Sequence, residues 1–256
     1  DFSPANVPDY WFASPTKVPK LSGMNRFVWE MRYPPPASLP YSYYGELLEY
    51  TEYTLADHAI PGLTPRQMLR GPRIVPGKYS VELRHGGQTL RQPLTVELDP
   101  RVHASFQDLV QQRDLGLKIV RGMQSSYGSY GQVAALHKAL TEHKELLQSG
   151  DAGTKDAVER ISKEIEGLEK GTKTAPGFGP VNRDLGRLLF SVENADMRPA
   201  QSLLTAVQQL CDVLSNDSMK WQQLNEQEIS VLNAKASNGK APALPQIAVT
   251  TNGCKE

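Results

Sequence analysis

Cysteine is scarce in this 256-residue chain: Cys211 and Cys254 are its whole supply. Two cysteines cannot build the framework of a disulfide-held miniprotein, and no Cys/His cluster has zinc-site spacing. Charge of one sign is lacking too, since 28 lysines and arginines stand against 28 aspartates and glutamates. The balance holds locally, with 11 basic and 10 acidic groups in residues 1–102 and 17 and 18 in the rest. A nucleic-acid binder or an interfacial membrane helix concentrates positive charge on one face, so neither partner is expected. No run of 18 apolar residues occurs, so no membrane-spanning helix is expected. The opening "DFSPANVPDYWF" lacks the basic and apolar regions of a signal peptide. Beginning at Asp, the chain reads as a piece cut from a longer one.

Catalytic signatures are missing as well. The sequence has no HExxH, no G-x-S-x-G elbow, and no lysine to make a phosphate loop of "SSYGSYG". The histidines, His58, His85, His103, His137 and His143, read as solvated or cap-like groups. Glu142/Glu145 and Glu159/Glu166 sit among lysines, as helix-surface ion pairs do. No catalytic residue, metal ligand or cofactor is assigned.

What is present falls into two compositions. Of 19 prolines, 14 lie in the first 100 residues, with 8 of the 10 tyrosines. Proline is poorly tolerated in helices and tyrosine suits pleated surfaces, so residues 1–102 read as a β-and-loop unit. In "MNRFVWEMRY", Phe27, Trp29 and Met31 alternate with Arg26, Glu30 and Arg32, which predicts a strand with one buried side. "KYSVELR" turns Tyr79, Val81 and Leu83 inward, "HGGQ" supplies a tight turn, and Leu94, Val96 and Leu98 return. Pro93 marks the returning strand as an edge or bulge. "DYWFA" at 9–13 and parts of 34–70 supply the further strands a sandwich needs.

Beyond "DPRV", at 99–102, the pattern becomes helical. Ser105 to Asp108 resembles a capping box, and a stripe runs from Phe106 to Met123. The glycines of "SSYGSYG", 125–131, predict a kink or break before Val133, Leu136 and Leu140 resume it. Val158, Ile161, Ile165 and Leu168 form a second stripe, and Leu185, Leu188, Leu189 and Val192 a third. Asp196 is expected to cap a last helix from Leu203 to Leu232, interrupted near "SNDS" at 215–218. One-sided stripes must bury against neighbours, which makes an antiparallel bundle. Cys211 lies on such a stripe and reads as a small buried thiol. Cys254 stands in a polar tail, and a Cys211–Cys254 disulfide is the less favoured alternative, since sequence alone cannot set the geometry it requires. The expected fold is therefore α+β in two domains. An immunoglobulin/fibronectin-III-like β-sandwich spans 1–102, a helical bundle 103–240, and a tail 241–256.

"GMNRFVWEMRYP" with "GPRIVPGKYSVELRHGGQTLRQPLTVELDPRV" resembles the C-terminal region of bacterial sortilin-type and BNR-repeat β-propeller proteins. It is also similar to the immunoglobulin-like domain of the flagellar hook-capping protein. Residues 181–245 resemble the former family's closing helices more loosely. The resemblance implies a secreted or periplasmic setting and a β-propeller as parent domain. The Asp-box repeats of such propellers do not occur here, so their hydrolase-like activity attaches to no residue of this chain.

One long segment fits neither pattern. Residues 34–70 hold Tyr41, Tyr43, Tyr44, Tyr50 and Tyr53, amphipathic groups that favour interfaces. Three readings are open for them: packing onto the sandwich or bundle, contact with a propeller domain, or a sugar or peptide ligand. The functional expectation is a non-catalytic structural or interaction module of a larger secreted β-propeller protein. The alternatives are an accessory domain of a glycoside hydrolase-like enzyme, and a carbohydrate- or peptide-binding module using the tyrosines.

Overall fold

A computed structural model describes residues 18–39, 70–142, 152–236, 244 and 253–255. Within them the chain is mostly helical and carries one sheet of two antiparallel strands, β1 (Gly77–His85) and β2 (Gln88–Val96). The hairpin forms as its sequence dictates. Gly86 and Gly87 take φ of +55° and +78°, the paired left-handed residues of a two-residue turn. His85 then faces Gln88, Leu83 faces Leu90, Val81 faces Gln92 and Tyr79 faces Leu94. The Tyr79 hydroxyl donates to the Val75 carbonyl at 2.6 Å and ties the base of β1 to the preceding turn.

Among the described residues no sandwich surrounds this hairpin, which corrects the expected immunoglobulin/fibronectin-III-like fold. Among the described residues, the segment anticipated as a buried strand, 26–32, pairs only through a single bridge between Arg32 and Arg73. Met31 has φ of +56°, a left-handed value that interrupts extended backbone. Phe27 and Trp29 remain 49% and 40% exposed, so the alternating face is not buried. Alternation records which side of a strand is apolar; it does not supply a sheet to cover it. "DYWFA" lies outside the described residues.

The turn at Asp99 sends the chain into the bundle. The Asp99 carboxylate accepts from the Arg101 backbone N–H at 2.9 Å, and Val102 N–H bonds the Asp99 carbonyl at 2.9 Å. α1 (Phe106–Glu142) then starts from the anticipated capping box. Asp108 N–H donates to Ser105 Oγ at 3.2 Å while Ser105 N–H donates to the Asp108 carboxylate at 3.1 Å.

α1 runs 37 residues without the break expected at "SSYGSYG". A Cβ on Gly128 or Gly131 would meet nothing within 4 Å, so both glycines face open space. Each costs about 1 kcal/mol in a helix interior. Full burial of Met123, Val133 and Leu136 on either side outweighs that cost.

Three further helices pack on α1: α2 (Ala152–Lys170), α3 (Phe178–Val192) and α4 (Gln201–Gln223). α4 continues through a π-helical turn, Leu224–Glu228, into α5 (Ile229–Ala236). Gln112 reaches the end of α3 at Val192, and Asn182 near its start reaches Met123, so α1 and α3 are antiparallel. Lys118 meets Gln208 and Gln132 meets Trp221, so α1 and α4 run parallel. The expected stripes Val158/Ile161/Ile165/Leu168 and Leu185/Leu189/Val192 are buried in one continuous core.

Two local expectations fail here. Asp196 caps nothing: α4 begins after Ala200, and Asp196 instead accepts from Arg73 at 2.7 Å. "SNDS" does not interrupt α4, which runs straight through it with Asp217 and Ser218 buried.

The cysteines form the disulfide that the reading disfavoured, with Cα atoms 5.6 Å apart. Two points of the C-terminal stretch are packed against the helices. Leu244 is buried and clamped by Asn233, whose amide donates to its carbonyl at 2.9 Å and accepts from its N–H at 2.7 Å. Cys254 is buried too, with its sulfur against Gly122 of α1.

Candidate interaction surface

The hairpin divides into two faces, because residues directly opposite in an antiparallel pair share a side of the sheet. Tyr79, Val81 and Leu83 with Leu94, Gln92 and Leu90 make an apolar face. Lys78, Ser80, Glu82 and Arg84 with Thr95, Pro93, Arg91 and Thr89 make a polar one. Near the base, Tyr79 and Leu94 are half-buried. Beyond it the apolar face is open: Val81, Leu83 and Leu90 are 52%, 57% and 61% exposed. Nine residues per strand reach about 30 Å, so the distal half stands clear of the bundle. Met24, Phe27 and Val28 add exposed apolar groups from the N-terminal segment. Two strands alone are marginal in water, and an uncovered apolar patch marks a contact surface.

The base of the hairpin is held electrostatically. Arg32 Nη1 lies 2.6 Å from Glu193 Oε2, both side chains largely buried, and also donates to the Gly71 carbonyl at 2.8 Å. Arg73 spans Glu193 and Asp196. Beside this network lies a cavity of about 280 Å³ whose lining includes Met31, Val75, Val96, Leu98, Leu109 and Gln112. Gln112 turns its amide inward, donating to the Val192 and Ala195 carbonyls at 2.6 and 2.7 Å. Each of the four ionic groups of this network, Arg32, Arg73, Glu193 and Asp196, has its counter-ion, so the arrangement fastens hairpin to bundle.

Buried Asn182 performs a similar task for residues 37–39. Its Oδ1 accepts from Leu39 N–H at 2.8 Å, and its amide donates to the Ala37 and Met123 carbonyls and to Ser126 Oγ. Tyr33 N–H bonds the Pro72 carbonyl at 2.9 Å, joining the two ends from which residues 40–69 depart. Tyr41, Tyr43, Tyr44, Tyr50 and Tyr53 lie outside the described residues.

Two other polar clusters bear on chemistry. Glu169 bridges the His137 ring, 2.5 Å from Nδ1, and the Tyr130 hydroxyl at 3.5 Å. Burial, reinforced by the Glu169 charge, pushes the Tyr130 phenol above its ordinary range, so it stays a neutral donor. A carboxylate orienting a histidine is two-thirds of a triad, but no hydroxyl or thiol nucleophile is bonded to that ring among the described residues. Asp217 is buried on α4, where burial raises its pKa against the opposing pull of Lys220, 2.9 Å away. It borders an open groove of about 550 Å³ shared with Lys163, Glu164, Thr172 and Glu228. Sequence reading missed the His137–Glu169 pair, which joins two helices across 32 positions. Lys138–Glu142 and Lys170–Glu166 are helix-surface ion pairs, as anticipated.

Among the described residues no three His, Cys, Asp or Glu side chains are grouped to hold a metal ion. No described helix is long and apolar enough to cross a membrane. No family model, curated protein or solved structure matches this chain.

Proposed function

We propose that this chain is a non-catalytic interaction module that docks onto another protein surface through its projecting hairpin. The observation that carries the reading is the uncovered apolar face of Val81, Leu83 and Leu90, on a hairpin whose base is pinned by ion pairs. A rigid foot and a greasy free end suit a part that fits against something else. The Cys211–Cys254 bridge supports an extracytoplasmic setting, because disulfides persist in oxidising compartments. The motif likeness to sortilin-type β-propeller proteins makes a propeller domain the preferred partner, and it rests on the quoted motifs alone.

Hydrogen exchange tests the reading. Amides from Val81 to Leu90 should be protected when the chain is part of its propeller-containing polypeptide and exchange quickly when it stands alone. Equal exchange in both would overturn the docking. Turnover of chromogenic glycosides or unfolded casein by the purified chain would overturn the non-catalytic part.

A further inference from the structure

The hairpin's two outer edges are not equivalent, and the difference follows from its turn. In a two-residue hairpin the flanking pair, His85 and Gln88, exchanges both backbone hydrogen bonds, and such pairs alternate along the ladder. Odd-numbered residues of β1 therefore point their N–H and C=O groups at β2. The even ones, Lys78, Ser80, Glu82 and Arg84, point theirs outward. On β2 the outward residues are Thr89, Arg91, Pro93 and Thr95. Pro93 has no N–H, and it stands in the middle of that outer edge, where an added strand would need a donor. The β1 edge contains no proline, and among the described residues no backbone hydrogen bond reaches it. Among the described residues, one edge is blocked and the other is open.

Charge narrows what the open edge accepts. The polar face carries Lys78, Arg84 and Arg91 against the single acid Glu82, which is already bonded to both Arg84 and Arg91. A second copy of this hairpin would set like charges beside one another, the device by which edge strands avoid self-pairing. An acidic strand would be attracted.

Resting on the reading of the hairpin as a docking surface, we propose that the outer edge of β1 takes up an extended partner strand with alternating side chains. Its acidic side chains lie beside Lys78 and Arg84. Its apolar ones extend the face of Tyr79, Val81 and Leu83. Backbone bonds at Lys78, Ser80, Glu82 and Arg84 hold it, and the side chains select it.

The probe is a fluorescein-labelled nonapeptide alternating valine with glutamate, titrated against the whole chain by fluorescence anisotropy. Saturable binding is expected, with none for the valine–lysine counterpart. Ser80→Pro removes one outward N–H at a site that does not bond β2 and should weaken binding by about tenfold. Lys78→Glu with Arg84→Glu, both on exposed positions that leave the fold intact, should reverse the preference toward the lysine peptide. Thr95→Pro, on the edge already broken by Pro93, should leave binding unchanged. Equal binding of the two peptides, or of neither, overturns the proposal. Sedimentation showing a dimer of the chain alone that Ser80→Pro dissolves also overturns it, by giving the edge to a second copy. Binding that survives Ser80→Pro but is lost in Val81→Thr/Leu83→Thr/Leu90→Thr overturns edge pairing while leaving the docking face standing.

Discussion

Cys254 occupies the space that a side chain on residue 122 would need: a Cβ placed on Gly122 would lie 2.6 Å from the Cys254 sulfur. It would also meet Leu185 Cδ1 at 2.9 Å. The sulfur cannot retreat, because it is bonded to Cys211 on α4. Gly122→Ala should therefore cost about 1–3 kcal/mol, the usual range for overpacking. Urea denaturation checks this, and a midpoint equal to that of the parent chain would show that the seat can relax.

Breaking the disulfide acts through the unfolded chain. It closes a loop of 43 residues, for which chain-entropy arguments give a contribution of about 4 kcal/mol. Cys254→Ser should lower stability by that order, and dithiothreitol should lower the parent chain to the same level. Peptide mapping without reductant should recover residues 211 and 254 linked.

Asn182 gathers four hydrogen bonds from two other segments of the chain, residues 37–39 and α1. Asn182→Leu strands the Leu39 N–H and should destabilise the fold by about 3 kcal/mol. Hydrogen exchange offers a local readout: the Leu39 amide should lose protection well before the core of α1 does.

Asp217 gives a pH signature. Burial raises its folded-state pKa above the ordinary carboxylate value, so the folded chain holds that proton more tightly than the unfolded one. Its contribution to stability therefore falls as pH rises from that ordinary value through the raised one, and the cost is complete above it. Asp217→Asn should be more stable than the parent chain at pH 7. The advantage should shrink on acidification and vanish below the ordinary carboxylate range. A difference that grows toward acid would contradict the assignment.

The helices were legible because a one-sided apolar stripe implies its own burial, as Ile161, Ile165, Leu185 and Leu189 show. The turn at Gly86–Gly87 and the box at Ser105–Asp108 were legible because each is a bargain among near neighbours. What misled was alternation without company. Phe27 and Trp29 alternate like strand residues, yet a strand also needs an edge to pair with, and that information lies elsewhere in the chain. Glycines at 128 and 131 suggested a break for the same reason: local cost was visible, while the packing that outweighs it was not. The disulfide brings together residues 43 apart in sequence, a closeness no spacing rule contains.

The paired feet at Tyr33 and Pro72 carry one more consequence. Residues 31–39 and 70–75 meet across the bridge of Arg32 with Arg73, and Arg32 and Asn182 fasten them to the helices. Gly71 is so crowded by the Tyr33 and Pro34 carbonyls that only glycine fits there. Departure and return share one doorway, because both flanks are tied to α3 and to the turn that follows it, through Glu193, Asp196 and Asn182.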